Sequence, residues 1–98
     1  MKIRNIWKNV EDPLELHTDD RGSIVDIFYN DKIEHVAVIY SDPNILRGNH
    51  YHKYSTQHML MTRGSLEYWW KPAGSDEPAK MIVARVGDLV STPPNEIH

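Results

Sequence analysis

Hydrophobic and polar positions along this chain alternate in short runs bounded by turn formers, and no stretch holds a period of 3.6 over three turns. "SIVDIFYN" (23–30) and "EHVAVIYS" (34–41) are rich in β-branched and aromatic residues, the composition of strands. "DDRG" (19–22) and "SDPN" (41–44) are turns built on Asx side chains with a glycine or a proline. Further strands are read at "NHYHK" (49–53), "QHMLMTR" (57–63), "SLEYWWK" (65–71) and "AKMIVARV" (79–86), with "GDLVSTPPN" (87–95) ending the series. The pattern predicts an all-β chain with little or no helix, folded as a sandwich or small barrel. No repeat, linker or low-complexity run interrupts it, so residues 1–98 are read as a single domain.

Alternation also assigns sides. In a strand, His50 and His52 project to one face and Asn49, Tyr51 and Lys53 to the other. Gln57, Met59 and Met61 share a face opposite to His58, Leu60 and Thr62. A small barrel has room inside for packed side chains or one small ligand, so an inward His50/His52 face would gather polar groups from its neighbours. Met59 and Met61 are read as lining, His58 as a surface residue, His17 and His35 as solvated, and at most one of Trp69 and Trp70 as inward.

Composition narrows the function. A net charge of −3 with no Lys/Arg cluster argues against a nucleic-acid partner, which needs a basic face. There is no cysteine, hence no disulfide framework and no thiolate metal site. No window approaches the ~18–20 apolar residues of a membrane span, and "MKIRNIWKNVEDPLEL" lacks the apolar run of a signal peptide. The expectation is a cytoplasmic domain with no membrane partner.

Three of the six histidines fall in "LRGNHYHKYSTQHMLMTRG" (46–64). From His50 the spacing runs H-x-H, four residues, Gln57, six residues, Gly64. "GDLVSTPPNEIH" (87–98) runs Gly87, five residues, Pro93, one residue, Asn95, two residues, His98. The two segments (44–64 and 87–98) resemble the paired motifs of the cupins, G-x5-H-x-H-x3–4-E-x6-G and G-x5-P-x-G-x2-H-x3-N. The resemblance implies a cupin-type β-barrel, jelly-roll-like, with the motif residues facing inward. Since the chain stops at His98, that barrel would lack its closing strand. The resemblance also implies a divalent metal (Zn, Fe, Mn or Ni) on His50, His52, Gln57 and His98. Gln57 stands where the motif has glutamate, which removes a negative charge and makes the shell neutral. Asn44 and Asn95 stand at motif glycines, and asparagine tolerates the left-handed backbone that glycine favours there.

A narrower resemblance concerns substrate. "DDRGSIVDIF" (19–28) followed by "LRGNHYHK" (46–53) is similar to the 3,5-epimerases and 3,4-ketoisomerases of dTDP-4-keto-6-deoxy sugars. That resemblance implies metal-free chemistry, with His50 as general base and His52 or a tyrosine such as Tyr51 assisting. Arg21 and Arg47 would pair with a nucleotide pyrophosphate, and Tyr68 would contact the substrate. Three functions therefore stand: a metal-binding cupin acting on or binding a small carbohydrate or sugar-nucleotide ligand, a keto-sugar isomerase, and a non-catalytic binding domain. A homodimer is expected, because pairing of Met1–Ile6 with a neighbouring copy would cover an open barrel edge.

Overall fold

The computed structural model describes residues 1–98. Eight short strands form and no helix does: β1 (Lys2–Asn5), β2 (Leu16–Asp19), β3 (Gly22–Val25), β4 (Gln57–Leu60), β5 (Ser65–Pro72), β6 (Lys80–Arg85), β7 (Asp88–Thr92) and β8 (Glu96–Ile97). They make three small antiparallel sheets, ordered β1-β7-β4, β2-β3 and β6-β5-β8. No helix is long and apolar enough to cross a membrane.

Period-2 patterning accounts for how the two larger sheets meet. On β5, Leu66, Tyr68 and Trp70 turn toward the interior while Glu67 and Trp69 face solvent. Ala84 and Ile82 of β6 sit opposite Leu66 and Tyr68 in register and share their face. Val90 and Thr92 of β7 likewise share a face with Met59 and Gln57 of β4. The core of Met61, Tyr68, Ala84 and Val90 lies between these faces, with Met1, Met59, Leu66, Trp70 and Ile82 packed around it. Glycines with positive φ make the turns at Gly64 (73°) and Gly87 (90°).

Two expectations are corrected. The closed, jelly-roll-like barrel does not form, since closure requires every edge to be paired. Residues 28–48 make no backbone–backbone hydrogen bond at all, which leaves the sheets open. The strand expected at 34–41 is accordingly absent, because strand composition without a partner does not make a ladder. The N-terminal strand pairs with β7 of its own chain, Lys2 opposite Ser91 through Asn5 opposite Asp88, and forms the edge of its sheet.

Candidate metal centre

The two histidine-bearing segments, 48–52 and 95–98, lie side by side. His98 donates its N–H to the His50 carbonyl (3.1 Å) and accepts from the His50 N–H (3.3 Å), so the two residues oppose each other as an antiparallel pair. The Asn49 N–H also donates to the His98 carbonyl (2.6 Å), and the Asn95 N–H to the His52 carbonyl (2.7 Å). β8 in turn pairs with the end of β5, Lys71 opposite Ile97, which ties the C-terminal segment to the core. Left-handed residues shape both segments: Asn49 at φ 61°, Asn95 at φ 64° and Gly48 at φ 88°. Asn44 also takes φ 62°, as expected of an asparagine replacing a glycine. At Gly48 the approach is close, for a Cβ there would lie 2.5 Å from the His98 carbonyl oxygen.

This pairing brings three imidazoles together. Ring nitrogens of His50, His52 and His98 all lie within 4.8 Å of one another, with His50 exposed and the other two half-buried. Ring centroids are 5.2 Å apart for His50–His52 and 4.7 Å for His50–His98. The His98 ring is the most constrained. Its Nδ1 lies 3.2 Å from the Glu96 carbonyl oxygen, which can only accept, so Nδ1 carries the proton. Its Nε2 is then left with a lone pair, and that atom is buried with no hydrogen-bond partner. A histidine held by a carbonyl through one nitrogen and unpartnered at the other is arranged as metal-binding histidines are.

Burial, with the neighbouring His50 and His52 adding to it, pushes the His98 pKa below its ordinary 6.5, so the ring is neutral at pH 7. The folded protein therefore resists protonation at His98 more than the unfolded chain does. The stabilising contribution is full above about pH 6.5 and is lost as pH falls through the lowered value. Thermal denaturation of chelator-treated protein should give a lower Tm at mildly acidic than at neutral pH, and His98→Asn should shrink that difference. A Tm indifferent to this change of pH would contradict the assignment.

Tyr68 underlies the site. Its ring stacks on His98 (centroids 6.1 Å, 16° between planes), and its hydroxyl bonds that of Thr92. Burial raises its pKa, so the phenol stays protonated near neutrality. Gln57 stands opposite Thr92 in register and thus on the same sheet face, which puts its amide on the Tyr68 side. Glu96, which the sequence reading passed over, is two residues before His98 and so on its side of the chain. One carboxylate oxygen bonds the Met1 ammonium (2.9 Å) and the other is buried without a partner. Counting back by two from His98 was the signal that would have found it.

The remaining candidates lie apart from this cluster. Tyr51 is exposed. Arg47 bonds the Ser41 hydroxyl (2.6 Å). Arg21 is held by Asp19 (2.6 Å) at the β2–β3 turn, lowering the Asp19 pKa, but the pair is solvent-exposed and worth little. A shallow cleft beside Arg21 is lined by His17, Asp19, Arg21, Gly22, Ser23 and Ile24, none of them from the triad. His58 sits on the outer face, bonded to Ser91 (2.7 Å) and edge-on to Phe28.

Compared with known protein families, residues 17–98 match the polysaccharide biosynthesis C-terminal domain. The chain belongs to that family. The match takes in both histidine segments, so the residues that resembled cupin motifs are part of a polysaccharide biosynthesis C-terminal domain, and the cupin assignment is corrected. The open sheets agree with the correction, since the shape that the cupin motifs implied is not built. No curated protein and no solved structure matches the chain. The association of this polysaccharide biosynthesis C-terminal domain with carbohydrate chemistry thus rests on the family, and its chemistry on the triad.

Proposed function

We propose that this domain holds a divalent transition-metal ion on His50, His52 and His98 and presents it to a small polar carbohydrate ligand, such as a sugar nucleotide. The observation that carries the reading is the convergence of three ring nitrogens within 4.8 Å, one of them a buried, unpartnered Nε2. Imidazole nitrogen suits Zn, Fe and Ni, and three protein ligands leave a coordination position open for a ligand's oxygen. The exposed His50 keeps that position accessible from solvent. Gln57, on the Thr92 face, is the amide available to join the shell or orient the ligand. Bound metal would polarise a hydroxyl or carbonyl of the sugar; the protein's part is to hold three neutral imidazoles in place. Membership in a polysaccharide biosynthesis family supports a carbohydrate ligand.

Elemental analysis of protein purified without chelator and without a nickel column tests the proposal. About one equivalent of metal is expected in the wild type, falling to background in His50→Ala. A metal-free wild type that also fails to take up zinc in titration overturns it, and leaves His50 as an organic base or a simple binding group.

A further inference from the structure

Residues 28–48 leave every backbone donor and acceptor without a backbone partner, yet they contain the most strand-like run in the chain. Val36 is 82% exposed, Val38 95%, Ile39 71% and Tyr40 77%. The radius of gyration, 15.0 Å, exceeds the ~13 Å of a compact chain of this length. Apolar β-forming sequence with an unpaired backbone is a template for another strand.

The segment is complementary to itself. In an antiparallel pairing centred on Ala37, Val36 of one copy faces Val38 of the other, Glu34 faces Tyr40, and Lys32 faces Asp42, each pair occurring twice. Moving the register one step sets Asp31 against Asp42, or Lys32 against Pro43, which has no N–H to give. Only the Ala37-centred frame among these combines opposite charges at the ends with valines at the middle. A patch that complements itself about a two-fold axis is what a closed dimer requires.

We propose that residues 32–42 of two copies of this chain pair as antiparallel strands about an axis through Ala37, forming a homodimer. β1 has β7 along one side, whereas residues 32–42 have no backbone partner on either side. Lys32, which lies 3.0 Å from Glu34 in the single chain, gains Asp42 of the second copy as a further carboxylate.

The chain has no cysteine, so one introduced thiol reports the axis. Directly opposed Cα atoms lie ~4.5–5.5 Å apart, within disulfide range. Ala37→Cys is expected to oxidise to a covalent dimer, while Glu77→Cys, in the exposed loop after β5, stays monomeric under the same conditions. Light scattering of the wild type should show the 11.4 kDa mass doubling as concentration rises. Lys32→Glu should weaken association about tenfold through two like-charge pairs, and adding Asp42→Lys should restore it. Equal cross-linking at 37 and 77, a monomeric mass at every concentration, or failure of the second charge reversal to rescue the first overturns the proposal.

Discussion

Gly48→Ala is expected to lower metal affinity on the order of 10–100-fold although all three imidazoles remain, the range seen when a group that orients a metal ligand is removed. The added Cβ would meet the His98 carbonyl oxygen at 2.5 Å, and that oxygen is backbone, bonded to the N–H groups of Asn49 and His50. Relief requires the 48–52 segment to move away from 95–98, which separates His50 and His52 from His98. The substitution also strains a left-handed position (φ 88°), a cost unrelated to the metal. Gly74→Ala separates the two effects. Gly74 has φ 78° but nothing within 4 Å of its Cβ position, so that variant carries similar strain without the collision. Competition with a chromophoric chelator should show Gly74→Ala binding metal as the wild type does and Gly48→Ala binding it poorly. Equal affinities for the two variants would mean that the close approach does not set the triad.

Tyr68→Ala is expected to cost about 3–5 kcal/mol, the range for emptying a buried aromatic site. The figure is large here because only 8 of 98 residues are buried, so few other contacts can compensate. Stability of a domain this size is ~5–15 kcal/mol, and a loss of this order lowers Tm by tens of degrees or unfolds the chain. Tyr68→Phe keeps the ring against His98 but leaves the Thr92 hydroxyl buried and unpaired, which should cost about 1–3 kcal/mol while metal binding persists. Trp69→Ala, on the solvent face of the same strand, should cost well under ~1 kcal/mol. If thermal melts put Trp69→Ala level with Tyr68→Ala, the core has been placed on the wrong face of β5.

Much of this architecture is legible in local patterning. Strands β4 to β7 fall inside runs whose alternation and flanking glycines announce them, because period and turn chemistry act over a few residues. His50 and His52 share a side for the same reason, and His58 and Trp69 face outward as alternation requires. The left-handed backbone at Asn44 and Asn95 follows from what asparagine tolerates.

Other features depend on partners distant in the chain. "EHVAVIYS" has strand composition, but a strand exists only where a second backbone meets it, and no segment of this chain does. Closure of a barrel is the same question asked of every edge at once, and here the edges stay open. By contrast, "NHYHK" forms no regular strand yet finds the C-terminal segment, so that His98 arrives beside His50 through reciprocal backbone hydrogen bonds. By itself the sequence determined which residues have the chemistry to bind metal and which sides of their segments they share. Tertiary structure decided that His98 completes the triad, that Tyr68 and Glu96 support it, and that residues 28–48 remain unpaired. Each of those outcomes depends on hydrogen bonds and packing between residues far apart in sequence, which short-range periodicity does not encode.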